Sequence, residues 1–414
     1  MTRIIAIAAA AIGAAGAAVG FAQPPDMPVT GVAGPGLERF DAVMKKVLLR
    51  YEVPGGSLAI ARQGKLVLAR GYGYSNVRTG KPIEPTSLFR LASVSKSLTA
   101  AAILRLVEEG RLNLDARVFD LLEPLPPPRG AHVDSRMREI TVRHLLYHAG
   151  GWSREESGDP MGFSRQAARA LDVSLPITPA QLARYMKSRP LDFTPGTRCD
   201  YSNFGYMLLG LIIERVAEQQ FREGVRPYEE FMRQTMLNSM GIHRMRLAPH
   251  RGQPAAPAEV EGYGPENEPV SPDLLILQFA SGGWMSDAVD LARFLTNLDG
   301  TRGQRYLSAA TVKLMLSPPP EPIKPRANGT HFGMGWDVVH HTANGVLYHK
   351  GGGLPGTATH IEHRPNGVNW VVLFNASRAK PVGPQWHEEF LRELRTAIDE
   401  APSWPDVDFF RQFP

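Results

Sequence analysis

The chain has a single cysteine, Cys199, in 414 residues. An intramolecular disulfide is therefore excluded, and a chain this long can hold itself together with a buried core instead. Cys199 itself reads as a small packed residue rather than a nucleophile. Also missing is any dense run of Lys and Arg interleaved with aromatics: the net charge of +5 is scattered, which argues against a nucleic-acid binder. Neither a Gly-x-Ser-x-Gly elbow nor a Gly-x4-Gly-Lys-Ser/Thr loop occurs, so an α/β-hydrolase and a P-loop NTPase have no support. No internal repeat is present. His360 and His363 stand three apart in a β-rich stretch; successive strand side chains alternate faces, so the two do not easily share a metal such as zinc. No metal and no cofactor are expected.

Apolar runs long enough to leave water are scarce as well. Residues 4–19 form one, Ala/Gly-rich and preceded by Arg3, and Gly20-Phe21-Ala22 places small residues where a cleavage site needs them. This is the pattern of a secretory signal peptide over residues 1–22, with no membrane span left after cleavage. No cysteine follows, which excludes a lipoprotein anchor. An exported protein, periplasmic or secreted, is the expectation. Residues 23–36, rich in Pro and Gly, read as a linker.

What remains has ordinary globular composition, 43% hydrophobic and 21% charged. Phe40, Val43, Met44, Val47 and Leu48 recur at helical spacing over 37–50. Two β-rich runs, 57–62 and 65–72, flank Gln63-Gly64 as a hairpin. The middle is helical: Thr141 caps a helix through Tyr147, a polar segment runs to Pro176, and apolar helices cover 202–219 and 228–240. A Pro/Gly-rich loop spans 251–272. Ser286 and Ser308 cap helices ending at Leu298 and Leu316. Strands follow over 333–340, 345–348, 358–363 and 368–375, and an amphipathic helix closes at 384–400. Early and late strands would pair, giving an α+β fold in which an antiparallel sheet flanked by helices is split by a helical insertion. The expected division is a catalytic domain over 37–400, with a sheet subdomain (37–92 and 290–400) and a helical subdomain (93–289). Residues 401–414 form a tail.

Three stretches carry chemistry. Ser93 and Lys96 fall at the start of a mostly apolar helix that stops at Gly110, and one helical turn puts both side chains on one face. A lysine whose pKa is lowered by burial or cationic neighbours can take or relay the serine proton. Tyr201 and Asn203 follow the Pro195-Gly196 turn at the head of the 202–219 helix, and ammonium groups near a phenol lower its pKa. Tyr348-His349-Lys350-Gly351-Gly352-Gly353 ends a strand with glycines that let substrate approach the backbone.

Taken together, these stretches resemble the penicillin-recognising serine hydrolases: class C β-lactamases, D,D-peptidases and the esterases that share their fold. Ser93-Val94-Ser95-Lys96 matches the family's Ser-x-x-Lys and Tyr201-Ser202-Asn203 its Tyr-x-Asn. His349-Lys350-Gly351 falls where β-lactamases carry Lys-Thr-Gly and many relatives His-x-Gly. The surroundings are similar too, in residues 140–146, Thr194-Pro195-Gly196 and Gly282-Gly283 before residues 290–294. The resemblance implies a β-lactamase/transpeptidase-like fold and an acyl-enzyme on Ser93, with Lys96 and Tyr201 sharing the general-base role. It assigns Asn203 to orienting Lys96 or the substrate amide, substrate contacts to His349 and Gly351, and an oxyanion hole to the N–H groups of Ser93 and Gly352. The substrate would be a small ester, a lactam or a D-amino-acid peptide, as for an esterase, a β-lactamase, or a D-Ala-D-Ala carboxypeptidase or D-aminopeptidase. A cell-wall-binding module without turnover is the reading from another class. Because His349, neutral above its usual pKa of ~6.5, replaces a permanent cation, the sequence predicts a preference for uncharged acyl esters, or amides without a free carboxylate, and weak β-lactamase activity, with Lys350 on the opposite face.

Overall fold

The computed structural model describes residues 27–217, 227–249, 254–264, 276–303, 305–377, 385–401 and 403–414. The signal-peptide reading of residues 1–22 lies outside them, as does part of the 251–272 loop. No described helix is long and apolar enough to cross a membrane.

The chain enters through an edge strand, β1 (Val29–Ala33), and helix α1 (Glu38–Arg50). Strands β2 (Gly55–Arg62) and β3 (Lys65–Asn76) form the hairpin around Gln63-Gly64, and β4 (Lys81–Pro82) pairs with the end of β3. Strand β5 (Phe89–Arg90) leads through a 3-10 turn at Ala92–Val94 into α2 (Ser95–Glu108). The helical part follows: α3 (Val118–Leu121), α4 (Val142–Leu146), α5 (Ser164–Leu171), α6 (Pro179–Met186), α7 (Asn203–Ala217) and α8 (Pro227–Met232). Strands β6 (Arg246–Leu247) and β7 (Trp284–Ser286) join β5 in a small sheet, and α9 (Ala288–Leu298) and α10 (Ala309–Met315) come next. Strands β8 (His331–Gly333), β9 (Trp336–Thr342), β10 (Gly345–Leu354), β11 (Thr357–His363) and β12 (Val368–Phe374) and helix α11 (Gln385–Asp399) complete it.

Among the described residues nine strands make one antiparallel sheet, in the order β1-β3-β2-β12-β11-β10-β9-β8 with β4 at the side. The closing pair is β12 with β2, in register Val372↔Leu58, so the two ends of the chain share one sheet. Strand alternation sorts the residues between two cores. Leu58, Ile60, Trp370, Val372 and Phe374 face α1 and α11; Ala59, Ala61, Val371 and Leu373 face α2 and α9. On the first face Phe374 and Phe390 are fully buried, each contributing about 2–3 kcal/mol. Helix α2 is buried on nearly every side, as its run of Ala, Ile and Leu demands. Its polar residues are pinned: Ser97 donates to Gly335 O (2.8 Å) and Thr99 to Ala280 O (2.6 Å), while Ser95 Oγ accepts the Trp284 N–H (3.2 Å).

Several expectations give way. Residues 23–36 do not form a simple linker, because β1 pairs with β3 from Val29↔Tyr72 to Ala33↔Leu68. Pro28 and Pro35 flank the strand rather than interrupt it, and the partner strand supplies the pairing that composition does not reveal. Nor is 401–414 a loose tail. Asp408 accepts the Leu66 N–H (3.1 Å) and pairs with Arg302 (2.9 Å), and Phe410 is buried beneath the Arg302 and Arg293 guanidiniums. Asp287, not Ser286, caps α9, since its carboxylate accepts the Asp290 N–H at 2.8 Å. The polar segment ahead of Pro176 contains α5. The strand ending at Tyr348 instead runs on through all three glycines to Leu354.

Candidate active site

Ser93 owes its position to a sharp change of direction. Leu91 is held by its N–H to Trp284 O (2.8 Å), and Ala92 then takes a left-handed φ of +48°. A non-glycine residue in that region costs on the order of 1–3 kcal/mol and persists only where the surroundings enforce it. Here they do: Leu91, Ala92 and Val94 are buried, and Ser93 alone of the turn reaches the surface of the cleft.

One turn on, Lys96 is fully buried; its Nζ lies 3.1 Å from Ser93 Oγ, 2.8 Å from Asn203 Oδ1 and 2.6 Å from Ser281 O, with the Tyr201 side chain also in hydrogen-bond contact. Two of these can only accept. An uncharged amine has two N–H donors and one lone pair. Spending the donors on Asn203 and Ser281 aims the lone pair at the Ser93 hydroxyl, the geometry of a general base. Burial lowers the Lys96 pKa, and Lys350 pushes the same way, against the opposing effect of Tyr201. The amide of Asn203 is oriented from behind, because its Nδ2 donates to Asp159 Oδ2 (3.0 Å), which is paired with Arg154 (3.2 Å).

Tyr201 lies between two cations. The Nζ atoms of Lys96 and Lys350 are 4.9 and 4.8 Å from its ring centre. Burial opposes ionisation of the phenol, but Lys350 and Lys96 outweigh it and hold the pKa below the usual value. Behind the ring stands His148, 4.5 Å between centres. Its Nδ1 accepts the Ser202 N–H (3.1 Å), so Nε2 carries the proton. Burial, then Lys350 and Lys96, drive its pKa far down, and it serves as a neutral platform.

Strand phase decides the third stretch, and it reverses the expectation for His349. On β10 the side chain that enters the cleft is Lys350, in register with Ile361 on the catalytic face. It is fully buried, with Nζ 2.5 Å from Asp337 Oδ1 on β9. Burial lowers the Lys350 pKa, yet Asp337 and Tyr201 more than restore it, so the cation is held. His349 faces the other way, 4.9 Å from the His360 ring on the side covered by α11. It therefore touches nothing in the cleft, and the substrate preference inferred from it loses its basis. Alternation holds along β10, with Lys350 rather than His349 as the inward residue.

The same phase corrects the role of Gly352. The Gly351 N–H points to Asp337 Oδ2 (3.3 Å), away from β11. In an antiparallel strand the direction alternates, so the Gly352 N–H faces its ladder partner Thr359 and that of Gly353 turns to the open side. Gly352 matters for another reason. A Cβ there would sit 2.4 Å from Leu91 O and 3.0 Å from Ser93 N, so only glycine lets β10 press against the nucleophile turn. Gly353 has nothing within 4 Å of a Cβ.

A family model described as Beta-lactamase matches residues 38–392. The chain belongs to the beta-lactamase family. These are serine hydrolases acting on ester and amide bonds. Among curated relatives, the esterase EstB of Burkholderia gladioli is 34% identical over 194 residues, covering 45% of this chain and 47% of its own. The matched stretch spans less than half the length of the curated relatives. Among solved structures, the octameric penicillin-binding protein homologue from Pyrococcus abyssi is 26% identical with a TM-score of 0.65, covering 87% of this chain and 76% of its own. EstCE1, a hydrolase with promiscuous acyltransferase activity, shares the fold at 20% identity, TM-score 0.69, covering 87% of this chain and 98% of its own.

In this beta-lactamase-family member, then, the structure brings Ser93, Lys96, Tyr201 and Asn203 together. It adds Ser281, Asp159, His148, Lys350 and Asp337, which sequence reasoning passed over or placed elsewhere. Only Lys350 had a readable signal, because it directly precedes the glycines. His360 and His363 point to opposite faces, one stacked on Trp370 and the other on Tyr348. Among the described residues no group of three or more His, Cys, Asp or Glu side chains is placed to hold a metal ion.

Proposed function

We propose that the chain is an exported serine hydrolase that cleaves small acyl esters or amides through an acyl-enzyme on Ser93. The observation that carries this reading is the Lys96 amine, 3.1 Å from Ser93 Oγ with its other two positions taken by carbonyl oxygens. Lys96 and Tyr201 act as one coupled pair in removing the Ser93 proton. As Oγ attacks the acyl carbon, the carbonyl oxygen takes up charge between the N–H groups of Ser93 and Gly353. Collapse expels the alcohol or amine, which receives its proton from Tyr201. Water then attacks the acyl-enzyme with Tyr201 as its activator, releasing the acid and restoring Ser93. The similarity to an esterase over part of the chain supports the ester side of the reading. No cofactor enters the scheme.

The test is a screen of p-nitrophenyl butyrate, nitrocefin and a D-Ala-D-Ala peptide with wild-type protein and Ser93→Ala. The ester should be turned over, and the variant should lose about 10³-fold or more. Faster hydrolysis of nitrocefin than of the ester would put a β-lactamase in its place; retained activity in the variant would remove Ser93 from the mechanism. Export is read separately. Protein recovered from the periplasm or medium of a bacterial host should begin at Gln23, and recovery of only uncleaved cytoplasmic chain contradicts it.

A further inference from the structure

Among the described residues Lys350 is a cation in the cleft beside Tyr201, and it is already engaged. Its Nζ meets Asp337 Oδ1 at 2.5 Å, and the other carboxylate oxygen accepts the Gly351 N–H at 3.3 Å, so Asp337 is fixed at both atoms. Arg326 donates to the backbone carbonyl of Asp337 (3.2 Å) and does not touch the carboxylate. The Asp337 side chain keeps 30% of its surface exposed while that of Lys350 has none. An anion approaching Lys350 therefore meets Asp337 first, and like charges at such a distance in a poorly hydrated site repel strongly. The Lys96 amine is already spent on Ser93, Asn203 and Ser281 and is not free for a substrate carboxylate.

We propose that Asp337 determines specificity at this site: by pairing with Lys350 it withholds that cation from substrate, and so selects esters and amides with no carboxylate beside the scissile bond. This rests on the serine-hydrolase reading above and names its substrate class. Neutral substrates are favoured here for a different reason from the one His349 suggested. The cation is present but occupied by Asp337, and the same carboxylate repels an incoming anion, so rejection has an added repulsive element.

A merely structural role for Asp337, holding Lys350 against Tyr201, makes a different forecast for pH. The groups that face one another here are Lys96 on α2, Tyr201 ahead of α7, Tyr206 on α7, His148 after α4, Asp337 on β9 and Lys350 on β10. The Asp337 charge raises the pKa of both Lys96 and Tyr201. Removing it should shift the acid limb of the pH–rate profile to lower pH.

The test uses two substrates that differ by one charge on the leaving group, 3-(butyryloxy)benzoate and its methyl ester. Wild-type protein, which needs no variant to fold, should prefer the methyl ester by about tenfold or more in kcat/KM. Asp337→Asn, with Ser93 still labelled by a phosphonate, should cut that preference by about tenfold, chiefly through a lower KM for the acid, and move the acid limb down. Equal rates for the two esters in the wild type overturn the proposal. So does an unchanged ratio in a labelled Asp337→Asn protein. Hydrolysis of neither ester, with no labelling, overturns the hydrolase reading itself, a result distinct from both.

Discussion

Asn203 Oδ1 and Ser281 O are what make Lys96 more than a buried cation. They take two of its three directions and leave the third for Ser93. Lys96→Arg tests this, because a guanidinium stays protonated and has no lone pair to offer. Its kcat should fall on the order of 10²–10⁴-fold, with thermal stability as the control; a near-normal kcat would mean that Lys96 moves no proton. Tyr201→Phe keeps the ring between Lys96 and Lys350 and removes only the hydroxyl. A fall in kcat of about 10²–10⁴-fold with a changed acid limb is expected, and an unaltered pH–rate profile would exclude the phenol from proton transfer. At this scale much of the site was legible. Ser93 and Lys96 are one helical turn apart, and Tyr201 and Asn203 are two residues apart, so local geometry suffices. Asp159, Ser281 and His148 were not legible, since they reach the site only through tertiary packing.

Strand β10 holds the clearest difference between what sequence offers and what structure decides. Two adjacent polar residues before three glycines leave the phase of the strand open, and a one-residue slip exchanges the faces of His349 and Lys350. The partner strands set it: Lys350 lies opposite Ile361 on β11, while His349 lies opposite Glu362 on the α11 side. The glycines divide accordingly. Gly352→Ala would push a methyl group against Leu91 O and Ser93 N, backbone atoms that cannot swing aside. Loss of most activity and of about 1–3 kcal/mol of stability is expected. Gly353→Ala adds its methyl group to open space and keeps the N–H, so activity should be near normal. A thermal melt and an ester assay on the pair check both; equal effects would mean that the strand phase is wrong. The strands, the hairpin at Gln63-Gly64 and the flanking helices were readable from periodicity. The edge strand β1 was hidden by the glycine and proline around it.

For the whole molecule, the pairing of β2 with β12 and the contacts of Asp408 with Leu66 and Arg302 tie both ends of the described chain to one sheet. Helix α11 covers a cluster of histidines on the face away from the site: His349, His360 and His387. Burial lowers all three, His360 to about 3 and His387 to about 4. When unfolded each takes its proton near pH ~6.5, so between there and the folded value the unfolded state binds more protons and stability falls with pH. The loss is up to about 1.4 kcal/mol per pH unit for each group, absent above pH ~7. The melting temperature should therefore drop between pH 7 and pH 5, and His387→Leu should flatten the slope. A melting temperature constant across that range would contradict the burial argument.

The covalent step is the center of the account. Stopping the ester reaction with acid during turnover and measuring the intact mass, followed by peptide mapping, tests it most directly. The predicted result is a population of chain heavier by one acyl group, mapped to Ser93, formed in the wild type and absent in Ser93→Ala. An acyl group mapped to another residue, or the same adduct and turnover in Ser93→Ala, would contradict it.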